Sequence, residues 1–184
     1  MSEVVGYYLA GQDNDADMLS EDIVYPKCKQ CGRLLDSDFH NPSFKLKRKA
    51  YDLSHPFDVG NVVSLRFKEF CLRRNYRGIV FKDFDREKDF FQLIVSPVVR
   101  FDLNRAEVEY GRKCNECDRF ESVIAMPPLH LCDVNGPLED GFYKTDMVIG
   151  MNNTMTALII VGLETYRLLK RERFKGLVFV PVYK

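Results

Sequence analysis

The chain carries no net charge: its 184 residues hold 27 Lys and Arg against 27 Asp and Glu. A protein dedicated to nucleic acid needs a basic surplus to neutralise phosphates, and overall there is none. Basic runs at 45–49 and 170–173 each have acidic residues nearby and read as solvated surface. Long apolar runs are missing as well. The longest, 157–163, falls far short of the roughly 20 residues that cross a bilayer. The opening Met-Ser-Glu-Val-Val-Gly has no basic stretch followed by an apolar one, so no secretory signal is visible there. These absences predict a soluble, cytoplasmic protein with no membrane role.

The residues of common catalytic sites are sparse and scattered. His40, His55 and His130 lie in turn-rich stretches, and none has a Ser or Cys beside it in a nucleophile-elbow context. Gly60, Gly78, Gly111 and Gly176 are isolated, so no phosphate-cradling loop is present. Asp83, Asp85, Glu87 and Asp89 cluster like a cation loop but lack the glycine and terminal glutamate of EF-hand spacing. They read as a charged hairpin tip. Aromatic residues show no pattern like that of an RNA-binding sheet. The sequence therefore predicts no catalytic residues and no enzyme.

What is present is a set of six cysteines, four of them in two Cys-x-x-Cys pairs, Cys28/Cys31 and Cys114/Cys117. Four thiolates from two short turns suit a tetrahedral Zn²⁺. Because the pairs lie far apart in the chain, one shared metal would organise a fold rather than a free-standing finger. Two other readings stay open: a redox dithiol, and pairs of free thiols. Thioredoxin-like pairs start a helix after a buried strand, usually with aromatic and Pro neighbours, and neither pair has that context. A catalytic zinc is disfavoured, since four thiolates leave no position for water. Zinc knuckles favour a left-handed residue after the second cysteine. Gly32 meets that need, and Asp118 tolerates the conformation better than most residues. Cys71 sits on a helical face with Phe67 and Phe70 and reads as core. Cys132 could be a spare ligand but belongs to neither Cys-x-x-Cys pair.

The rest of the pattern reads as α+β: mixed or antiparallel sheets, two amphipathic helices and a zinc-ribbon-like double-knuckle site. Strands are predicted at 4–9, 79–84, 90–95, 98–103, 108–110, 142–149, 157–161 and 177–182. Residues 120–125 read as the return arm of a hairpin. Helical spacing covers 64–75, with Ser64 as N-cap, and 163–173. Segments 13–22 and 126–141 read mainly as loop, the first with room for a short capped helix, and 36–61 is rich in turn formers. Two helix–glycine–strand units, at 64–84 and 163–182, echo each other around Gly78 and Gly176, each glycine placed to stop its helix. The whole of 1–184 is thus predicted as one domain. Two readings of the units stay open: a joint common to many folds, or related lobes joined by a knuckle region at 25–35 and 108–125.

The knuckles and tail carry a family resemblance. Cys28-Lys-Gln-Cys-Gly32, Cys114-Asn-Glu-Cys117, Phe142-Tyr-Lys-Thr-Asp146 and Phe174-Lys-Gly-Leu-Val-Phe-Val-Pro-Val182 resemble the double-CXXCG motif proteins. Those are described as immunity partners of bacterial polymorphic toxins. Asp118 departs from the pattern, standing where the second motif has glycine. The resemblance implies a non-catalytic protein that binds one cognate toxin and blocks its active site, with zinc at Cys28, Cys31, Cys114 and Cys117. The alternative is a zinc-ribbon protein associated with nucleic acid, its basic runs 45–49 and 73–77 meeting phosphates.

Overall fold

The computed structural model of the chain describes residues 3–20 and 22–184. In chain order its first strands are β1 (Val4–Ala10), β2 (Gln12–Asp13), β3 (Leu53–His55), β4 (Val62–Ser64), β5 (Ile79–Asp83) and β6 (Phe90–Val95). There follow β7 (Val98–Phe101), β8 (Glu107–Tyr110), β9 (Ser122–Met126), β10 (Leu129–Cys132), β11 (Phe142–Met151), β12 (Thr156–Val161) and β13 (Val178–Tyr183). Helix α1 spans Leu65–Arg73 and α2 spans Leu163–Glu172. Among the described residues no helix is long and apolar enough to cross a membrane.

The α+β class and the mixed pairing stand, with an added closure. Strands β12, β1, β13, β10, β7 and β11 pair in that order, and β11 pairs with β12 again, so six strands form a barrel. Within it β10–β13 and β7–β11 are parallel; the other pairs are antiparallel. Strand β12 makes the closure, pairing with β1 at one edge and with β11 at the other. Its run Ala-Leu-Ile-Ile-Val is apolar at every position, the mark of a strand buried on both faces. Leu158 and Ile160 point into the cluster to which the barrel strands contribute. Ile159 and Val161 point the other way, into a core shared with α1, α2 and the second sheet. That sheet runs β2-β3-β4-β6-β5. The far end of β11 carries β9 and then β8 as an extension beyond the barrel.

Helix α1 begins as its sequence requires. The Ser64 hydroxyl accepts the Phe67 N–H at 3.2 Å and donates to Asp52 at 2.7 Å. Phe67, Phe70 and Cys71 form its buried face. The end differs from expectation. The left-handed residues that close the two helices are Asn75 (φ 53°) and Arg173 (φ 54°), not the glycines. Gly78 and Gly176, also left-handed, serve close approaches instead. A Cβ on Gly78 would fall 2.5 Å from Pro97 Cγ, and one on Gly176 would fall 2.5 Å from the Leu53 carbonyl oxygen.

One loop expectation is corrected, and one turn-rich stretch holds a short strand. Segment 126–141 contains β10, which joins β7 to β13 inside the barrel. Segment 36–61 contains β3, paired with β2 and β4. Segment 13–22 forms no helix among its described residues; Glu21 lies outside them. The carboxylate cluster is more than a solvated tip. Glu87 is buried, accepts the Leu46 N–H at 3.1 Å and pairs with Lys49 at 2.6 Å. Arg48 pairs with Asp15 at 2.7 Å, so part of the 45–49 run is tied down.

Candidate metal centre

Each knuckle is a short hairpin closed by the same three backbone bonds. In the first, Cys28 N–H donates to the Arg33 carbonyl (2.8 Å), Gly32 N–H to that of Cys28 (2.9 Å) and Leu35 N–H to that of Pro26 (2.8 Å). In the second, Cys114 N–H donates to Arg119 (2.8 Å), Asp118 N–H to Cys114 (3.0 Å) and Glu121 N–H to Arg112 (2.8 Å). Antiparallel bridges Lys27–Leu34 and Lys113–Phe120 complete the arms. Gly32 and Asp118 are left-handed, at φ 72° and 58°, as the knuckle pattern requires. Neither pair opens a helix, which removes the setting a redox dithiol uses.

The knuckles are held by different parts of the fold. Leu34 buries the first in a cluster with Met18, Phe44 and Phe84. The second sits at the tip of the β8–β9 hairpin, closed by the Gly111 N–H bond to Ser122 at 2.9 Å. The fold thereby brings the four predicted cysteines together: their sulfurs all lie within 4.8 Å of one another. Cys28 faces Cys114 at 3.9 Å and Cys31 faces Cys117 at 3.7 Å. These separations are far longer than a disulfide's ~2.05 Å. They match the ~3.8 Å edge of a tetrahedron with metal–sulfur bonds of ~2.3 Å. Cys28 and Cys114 are buried, Cys31 is exposed and Cys117 half-buried. The donor set fits a tetrahedral thiophilic metal, and such a metal would have no free position.

Three polar side chains around the sulfurs were not picked out from the sequence. The Cys28 thiol donates to Glu116 Oε2 and the Cys114 thiol to Gln30 Oε1, each at 3.6 Å, so each knuckle reaches across to the other. Arg119 donates from Nη1 to the Leu34 carbonyl (3.0 Å) and from Nη2 to that of Leu35 (2.7 Å), tying the second knuckle to the first. The signal was available: Lys-Cys-x-[Gln/Glu]-Cys-x-Arg occurs in both knuckles, from Lys27 and from Lys113. The Cys114 thiol is lowered to about 7, chiefly because the N–H groups of Cys117 and Glu116 point at its sulfur. At Cys28 the Cys31 N–H pulls down while burial and the Cys31 thiol push up, and the balance lies above the usual range.

The remaining candidates stay apart from this cluster. Cys71 is buried in the core, where desolvation pushes its thiol up. Cys132 Sγ lies 3.8 Å from the Arg100 and Phe101 carbonyls. His40 bonds Gln92 and the Asp83 carbonyl, His55 contacts the Pro56 carbonyl, and His130 is buried beside Tyr183.

No protein-family model matches this chain, and comparison with curated proteins finds no match.

Proposed function

We propose that the chain is an immunity protein. It binds and neutralises one cognate bacterial toxin in the cytoplasm, on a scaffold stapled by a structural Zn²⁺ held by Cys28, Cys31, Cys114 and Cys117. The observation carrying the scaffold half is the thiol spacing of 3.7 and 3.9 Å between facing sulfurs. A metal bound there has a full thiolate shell and no site for water or substrate, so its role is to fix the fold. Soft thiolates favour zinc over magnesium or calcium. A scaffold fixed in this way loses little entropy when it docks, which is what a blocking protein needs. The toxin half rests on the resemblance in the two knuckles, the 142–146 segment and the tail. The nucleic-acid reading has less support, because Arg48, Lys49 and Arg73 each have an acidic partner within 4.0 Å.

The test is co-expression with the product of the neighbouring gene. A tight complex that abolishes that product's toxicity is expected. A free chain that turns over a small substrate, or a neighbour whose toxicity it leaves untouched, contradicts the reading.

A further inference from the structure

Between the two knuckles and the far end of β11 lies a cleft of about 360 Å³. Its apolar wall includes Leu34, Leu103, Tyr110, Phe120, Met147 and Met155. That volume is near the lower end of the range for small-molecule sites, ~300–1,000 Å³. An apolar cleft alone says little about its occupant, but one side chain gives this one a chemistry. Arg33 lines the cleft at only 5% exposure, and its Nη1 is buried with no hydrogen-bond partner. A buried cationic donor left unsatisfied is expensive. An anion entering the cleft removes that penalty.

The surrounding groups restrict the anion. Arg119, also in the lining, is already engaged with the Leu34 and Leu35 carbonyls. Asp118 lines the cleft too and brings a carboxylate, paired with Lys113 at 2.6 Å. A cleft whose described lining has Arg33 as a cation without an acidic partner, beside the Asp118 carboxylate, suits a single negative charge and disfavours a phosphate dianion. We propose that this cleft binds a small amphipathic monocarboxylate. Its carboxylate meets Arg33 and its apolar chain lies against Tyr110, Phe120 and Met147. The site is separate from the toxin-binding reading and does not depend on it.

Calorimetric titration of the full chain with decanoate tests this, followed in parallel by methionine methyl NMR signals. One decanoate per chain is expected to bind saturably, shifting the Met147 and Met155 methyls. Decylammonium, with the same chain and opposite charge, is expected to bind at least about tenfold more weakly. Met147→Glu places a second carboxylate in the cleft and is expected to weaken decanoate by about tenfold. Arg33→Leu is expected to erase the preference for decanoate over decylammonium. Folding of both variants is checked by their thermal melts. Absence of saturable decanoate binding overturns the proposal, as does binding that Met147→Glu leaves unchanged. Equal affinity for decylammonium also overturns it, marking a nonselective apolar face.

Discussion

Cys28 and Cys114, 86 positions apart in the chain, hold their sulfurs 3.9 Å from each other. They are equivalent residues of two hairpins that face each other, and the equivalence extends outward. Cys31 faces Cys117, while Gln30 and Glu116 each reach the opposite hairpin's first cysteine. The only charge in that exchange is on Glu116, and it makes the two halves unequal.

A carboxylate 3.6 Å from Cys28 Sγ opposes the thiolate that a metal needs. Glu116→Gln restores the symmetry with Gln30. It is expected to tighten metal binding by about threefold, a modest gain because Glu116 is exposed. Competition against a chelator of known affinity reads this directly.

Arg119 ties the second hairpin to the first independently of the cysteines, through its two carbonyl bonds of 3.0 and 2.7 Å. Arg119→Ala is expected to weaken metal retention by about 1–2 kcal/mol. Arg119→Lys, with a compact ammonium instead of a planar fork, should fall between. Metal release to excess chelator measures both.

Protons compete with the metal for the thiols. Cys114 releases its proton near 7, while Cys28 holds its proton to higher pH than an ordinary thiol. Metal affinity is therefore expected to fall as pH drops through about 7, and to keep rising above it until Cys28 ionises. The sign follows for the metal-free fold as well. The lowered Cys114 contributes stability present above the ordinary thiol value of about 8.5, lost as pH falls through about 7. Affinity that is flat from about pH 6 to 9 would contradict the assignment.

Away from the centre, Gly176 sits at φ 88° with the Leu53 carbonyl where a Cβ would go. It also follows Lys175, whose N–H donates to the Asp52 carboxylate that accepts the Ser64 hydroxyl capping α1. Gly176→Ala is expected to cost about 2 kcal/mol or more. A melting temperature lower by about 4–8 °C is the expected readout.

Both helices and most strands could be read in the sequence because their signals are local. Ser64 caps α1 through the Phe67 N–H, and the apolar run of β12 alternates between two cores. Strand β10 was hidden because Pro127-Pro128 precedes it and its pairing with β7 and β13 is entirely non-local. Strand β3 is only three residues long and abuts Pro56. Barrel closure depends on β12 pairing with both β1 and β11, which no local pattern encodes. Glycine's freedom in the left-handed region points to Gly78 and Gly176 as helix stops, yet Asn75 and Arg173 close the helices and the glycines, left-handed too, sit where a Cβ would collide. At the site, the four cysteines were legible from spacing. Gln30, Glu116 and Arg119 leave a trace in the shared Lys-Cys-x-[Gln/Glu]-Cys-x-Arg pattern, but what they contact is set only once the hairpins face each other.

The central claim is that one metal clamps the two knuckles, and elemental analysis of protein purified without added zinc tests it most directly. About one zinc per chain is expected. It should be lost on Cys→Ser substitution at 28, 31, 114 or 117 but retained on Cys71→Ser and Cys132→Ser. Metal-free wild-type protein, or zinc that survives Cys114→Ser at full stoichiometry, would contradict the account.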